Sequence, residues 1–153
     1  MRRIAIVTIL GLTLTGCFHT AEDQEADEAR DRVALEAIIA EYVAAVNAAD
    51  ADRLEALFWV DDPRFSEIED HIPHPFGATT FRDIGRWIRE NAKPGEKQRF
   101  RDTRYHFLGP DVAYAISLQD LLVTETTSRV TLVFLRNRGE WRIIHGHFSN
   151  VPE

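Results

Sequence analysis

After residue 97 the chain reads as four runs of β-rich residues separated by turn signals, and this pattern restricts it to an antiparallel sheet. Gln98 to Leu108 is followed by Gly109-Pro110-Asp111, and then by Val112 to Val123. Thr126 to Leu135 leads through Asn137-Arg138-Gly139 into Trp141 to Ser149. Short polar turns carrying glycine between such runs are hairpin signals. A sheet of this kind needs one face covered, and the preceding residues supply the cover. From Arg30 to Asn47, Val33, Leu35, Ile38, Ile39, Tyr42, Val43 and Val46 recur at helical spacing. Asp50 or Asp52 can cap a second, shorter helix through Leu54, Leu57, Phe58 and Trp59. Asp61-Asp62-Pro63 marks a turn, and Arg64 to Asp70 a short strand with Phe65 and Ile68 toward the core. The prolines of His71 to Gly77 forbid regular structure there. A third helix starts near Thr79 or Thr80, carries Phe81, Ile84, Trp87 and Ile88 to Asn91, and stops at Lys93-Pro94-Gly95. Two or three helices followed by a meander define an α+β domain.

The N-terminus reads differently. Met1-Arg2-Arg3 is a basic start, and Ile4 to Leu14 is an apolar run of signal-peptide length. Leu14-Thr15-Gly16-Cys17 follows, an aliphatic residue and two small ones before the single cysteine of the chain. This stretch resembles the bacterial lipobox. The resemblance implies a lipoprotein precursor: a signal peptide over residues 1–16, cleavage before Cys17, and lipidation of its sulfur and of the new amino terminus with palmitate-like acyl chains. Several chains anchor stably where one does not. Phe18 stands where aspartate would resemble an inner-membrane retention signal, so the expected location is the cell envelope, on the outer membrane facing the periplasm if the cell is Gram-negative. His19 to about Asp31 is acidic and polar and reads as a solvated tether grading into the first helix, giving a tether over residues 17–31 and a domain over 32–153.

One thiol cannot close an internal disulfide, so the domain holds together by packing alone. Removing Arg2 and Arg3 takes the formal charge from −7 to −9. That sign repels phosphate backbones, so no nucleic-acid partner is expected. No run after Cys17 reaches the roughly 20 apolar residues that span a bilayer, which leaves the lipid anchor as the membrane contact.

Three stretches together are similar to the SnoaL-like branch of the nuclear transport factor 2-like superfamily. They are Tyr42 to Asp50 with its alanine-rich N-x-x-D turn, Phe76-Gly77 leading into Phe81, Ile84 and Trp87, and Arg129-Val130-Thr131 with Gly139 to Ser149. The resemblance covers about Ala34 to Pro152. It implies a cone-shaped roll, a curved antiparallel sheet wrapped around a long helix with a cavity between them, and commonly a homodimer through the sheet. The family holds isomerases, dehydratases, cyclases and members without catalysis, so the fold leaves function open.

Trp141, Ile143, His145, His147 and Ser149 alternate along the last strand and share a face by its two-residue period. The family resemblance puts that face on the cavity, where His145 or His147 would serve as acid or base. The other readings are a hydrogen-bonded pair stabilising the sheet or a dimer contact, or two ligands of a metal completed by His71, His74 or Glu67; no familiar spacing links these, and no metal or cofactor is expected. Isomerase chemistry would need a carboxylate base and a phenolic donor. Tyr42 offers the phenol or simply packs in the core, while Asp61, Asp62 and Asp120 do not assemble into the base. Arg129 can recognise a carboxylate or pair with an acidic neighbour. Trp59, Trp87, Tyr105 and Phe65 line the core or the cavity mouth, and Trp59, Trp87, Tyr105, Arg129 and Trp141 are the candidate ligand-binding residues. The leading expectation is binding of a small, partly apolar molecule or a dimeric interaction module. The alternative is an enzyme using a pocket histidine with Tyr42.

Overall fold

The computed structural model describes residues 21–70, 72 and 74–151. Three helices, α1 (Ala21–Ala48), α2 (Ala51–Ala56) and α3 (Ala78–Asn91), lie against five strands: β1 (Ser66–Glu69), β2 (Gln98–Gly109), β3 (Val112–Leu121), β4 (Thr126–Asn137) and β5 (Glu140–Asn150). The sheet order is β1-β5-β4-β3-β2. Strands β2 to β5 form the expected antiparallel meander, but β1 joins β5 in parallel, so the sheet is mixed. The parallel pairing follows from connectivity: α3 and the meander lie between β1 and its partner, leaving no tight turn to reverse it. Among the described residues no helix is long and apolar enough to cross a membrane.

One face of the sheet packs on the helices. Ala113 and Ala115 of β3, Val130, Leu132 and Phe134 of β4, and Trp141, Ile143 and Phe148 of β5 meet Leu35, Ile39 and Tyr42 of α1, with Phe58, Phe65 and Phe81 filling the end between α2 and α3. The N-x-x-D turn has a definite task. Asn47 Oδ1 accepts from the backbone N–H groups of Lys97 and Gln98 at 2.8 and 3.1 Å, while its Nδ2 donates to the Gln98 carbonyl. The end of α1 is thereby tied to the start of β2. Asp50 caps α2 by accepting from the Arg53 N–H at 3.1 Å.

Two expectations are corrected by the fold. Residues 21–31 are the first turns of α1, not a tether. Alanine, glutamate and glutamine favour helix, Glu22 and Asp23 complement its N-terminal dipole, and Gln24 hydrogen-bonds Glu28 one turn on. Asp31 then fixes the helix to the sheet, accepting from Arg136 Nη1 at 2.9 and 3.0 Å while 7% exposed. The second correction concerns β5. Val133 pairs with His145 and Phe134 with Ile143, which leaves Ile144 as an extra residue in a β-bulge. One inserted residue exchanges the faces beyond it. Trp141 and Ile143 point to the helices, and so do Gly146 and Phe148, whereas His145, His147 and Ser149 point away. The expected anchor and its Cys17 lie outside the described residues.

Candidate functional site

The bulge leaves the cavity face to the residues opposite the histidines. Phe65 is buried, and in an extended segment the residue two positions on shares its face, so Glu67 also points inward. Glu67 pairs with Gly146 in β5. A Cβ on Gly146 would lie 3.0 Å from both Glu67 Oε1 and Phe148 Cε2, so glycine is what lets the carboxyl and the ring approach the strand. Glu67 is 3% exposed, and among the described residues no hydrogen-bond donor reaches its carboxyl. Burial drives its proton affinity well above the ordinary carboxylate value of 4.5, and the charge of Glu69 pushes the same way.

Glu67 opens into a cavity of about 510 Å³ between the helices and the sheet. Its apolar wall is Val46 of α1, Leu54 of α2, Ile84 and Ile88 of α3, and the rings of Phe58, Phe81 and Phe148. Tyr42 contributes its phenol from α1 and lies 6.2 Å, ring to ring, from both Phe58 and Phe148. Burial raises the Tyr42 phenol well above 10, with Glu67 and Glu69 adding to the shift, so it is a neutral donor. The polar wall comes from the sheet: Gln98, Gln119 and Ser128 are buried, while Asp70, Thr124, Thr126 and Asn150 are exposed at the rim. Gln119 donates to Gln98 Oε1, and the buried Nε2 of Gln98 has no partner among the described residues. A buried carboxyl and a phenol in one apolar cavity form a set able to give and take a proton.

Of the residues expected at the site, only Tyr42 lines this cavity. His145 is half-buried on the outer face, where its Nδ1 lies 2.9 Å from Ser66 Oγ. Burial holds its imidazole below the ordinary 6.5, with a hydrogen bond to the Ser66 backbone opposing and nearby His147 assisting. His147 is exposed on the same face, paired in register with Ile68 and Thr131. Glu67 is on the other side of the sheet and cannot complete a metal site with them. His74 is exposed, and His71 lies outside the described residues.

Arg129 is exposed on the outer face in register with Ser149, and Trp87 is 60% exposed beyond the apolar stripe of α3. Trp141 is buried under the Arg136 guanidinium at 4.9 Å, and Tyr105 lies under Arg32 of α1 at 5.6 Å, its phenol pushed up to about 12 by burial. Trp59 donates to the Leu135 carbonyl and lines a separate groove of about 420 Å³ beside Arg142. Asp120 faces outward and pairs with Arg99 and Arg101.

The architecture has a counterpart in sequence: residues 35–153 match the model of the SnoaL-like domain. The chain belongs to the SnoaL-like family. Solved structures repeat the fold of this SnoaL-like chain. A variant of Rv3472, a Mycobacterium tuberculosis protein of unknown function, superposes with a TM-score of 0.67 at 17% identity, covering 88% of this chain and 79% of that one. A provisionally assigned scytalone dehydratase from Novosphingobium aromaticivorans gives 0.66 at 12% identity, with 84% and 89% covered. The association domain of C. elegans CaMKII gives 0.61 at 16% identity, with 83% and 98% covered. At these identities the likeness is one of fold. No curated protein matches the SnoaL-like sequence.

Proposed function

We propose that this protein binds a small, partly apolar molecule in the cavity between its helices and sheet, with Glu67 and Tyr42 meeting the polar group of the ligand. The observation that carries this reading is a carboxyl 3% exposed, with no donor among the described residues, in a cavity walled by phenylalanines. Evolving chains rarely keep a buried acid without a partner unless it is used. The neutral fluorophore N-phenyl-1-naphthylamine tests it. Its emission should rise on mixing with the protein, and the rise should vanish in Ile84→Trp, which fills the apolar wall. No rise, or one that Ile84→Trp leaves intact, defeats the reading.

A proton-transfer enzyme of the isomerase, dehydratase or cyclase type is the second reading. It is favoured by the carboxyl and phenol sharing one cavity. Glu67 would move a proton between carbons next to a carbonyl while Tyr42 donates to the developing oxyanion, a division of labour that ketosteroid isomerases also use. Deuterium uptake into the methyl group of 2-acetylnaphthalene, followed by NMR, should fall about 100- to 10,000-fold in Glu67→Gln. His145→Gln and His147→Gln should leave it unchanged.

The placement of the protein belongs to the same proposal. Cys17 carries the acyl anchor that holds the domain at the cell envelope. The outer sheet face, bearing Tyr114, Ile116, Leu118, Val133 and Leu135 in the registers β3 shares with β4, meets a second copy.

A further inference from the structure

Several carboxylates elsewhere in the molecule are paired with arginine. Asp31 pairs with Arg136, Glu41 with Arg53, Asp62 with Arg64, and Asp120 with Arg99 and Arg101. The cavity departs from this pattern at Glu67, and its described lining residues include no lysine, arginine or histidine. Glu67 is nine-tenths buried and more, with no donor on its carboxyl among the described residues. Aromatic faces stand around the same space. Phe148 Cε2 and Glu67 Oε1 each lie 3.0 Å from one point above Gly146, so they are no more than about 6 Å apart. The Tyr42 and Phe148 rings are near-parallel at 6.2 Å.

We propose that the ligand selected by this cavity carries a cationic nitrogen, an amine or quaternary ammonium group, seated between the Glu67 carboxylate and the rings of Tyr42, Phe58 and Phe148. A cation supplies the missing partner for the buried acid and is drawn to the negative faces of the rings. An anionic ligand would meet acidic residues with no base among the described lining. A neutral one would leave the charge of the Glu67 carboxylate uncompensated. The apolar wall of Val46, Leu54, Ile84 and Ile88 takes the carbon skeleton. The inference rests on the ligand-binding reading and narrows it to a chemical class.

The test compares two probes of one shape, (naphthalen-2-ylmethyl)trimethylammonium and its uncharged carbon isostere 2-neopentylnaphthalene, by naphthalene fluorescence with the full chain. The cation should bind at least tenfold more tightly. Glu67→Gln should erase that preference and leave the neutral isostere unchanged. Should Glu67→Gln fail to fold, Glu67→Asp, which draws the charge back by one methylene, should reduce the preference several-fold. Equal affinities, or a preference that survives Glu67→Gln, overturn the cationic class while the ligand-binding reading stands. Failure of both probes to bind overturns the two together.

Discussion

At the scale of single residues, Glu67 couples the cavity to stability. Its carboxyl is more basic in the folded chain than in the unfolded one, first through burial and then through Glu69. A raised acid contributes stability in full below its unfolded value of 4.5 and loses it as pH climbs toward the folded value. Glu67→Gln keeps the shape of the protonated acid and removes the titration. Its stability should match the unmodified protein near about pH 4 and exceed it by roughly 1–3 kcal/mol near neutrality. Urea melts at the two pH values check this, and curves that stay parallel contradict it. Gly146→Ala should act oppositely: its Cβ, 3.0 Å from the Glu67 carboxyl and the Phe148 ring, costs about 1–3 kcal/mol of overpacking, measurable in the same melts. Glu67 is legible in principle. An inward Phe65 brings Glu67 to the same face by a period of two, whereas Ile68, the apolar neighbour, falls on the other. What hides it is the general preference of carboxylates for water, which this residue violates.

Secondary-structure elements are easier to read than the faces they present. The helix over Val33 to Val46, the third helix and all four strands of the meander follow from periodicity and turn residues. The bulge at Ile144 does not, because Ile143-Ile144 reads equally as a regular strand. One extra residue therefore turns His145, His147 and Ser149 from the expected cavity to the outer face. The parallel β1–β5 pairing is equally hidden, since it joins segments 79 residues apart, Ser66 to His145. The start of α1 is ambiguous for another reason. Its composition suits both a solvated tail and a helix, and the contact that decides is Asp31 with Arg136, distant in sequence. Asp31→Ala strands a guanidinium whose side chain is 18% exposed, although Asp111 still pairs with it. A loss of about 1–3 kcal/mol is expected. Backbone amide exchange should quicken from Ala21 to Ala34 and stay slow around Tyr42. Uniform quickening along α1 would show that this contact does not hold the helix end.

For the whole molecule, the sheet separates two surfaces that can be probed separately. The inner face and helices enclose the cavity, while the outer face presents Ile116 to solvent. The apolar outer residues Tyr114, Ile116, Leu118, Val133 and Leu135 sit on β3 and β4, away from both sheet edges. Ile116 is 38% exposed, so a charge there costs little folding energy, about 0.5 kcal/mol or less. In a paired assembly the same charge is buried against its symmetry mate, because a two-fold contact brings a patch onto itself. Ile116→Lys should therefore leave the thermal midpoint nearly unchanged and shift sedimentation from dimer to monomer. Its binding of N-phenyl-1-naphthylamine should persist, since the cavity lies on the opposite side of the sheet. An unmodified protein that sediments as a monomer at every concentration would remove the outer face as a contact between copies. A variant that loses dimer and probe together would show that the two faces are energetically coupled through the strands between them.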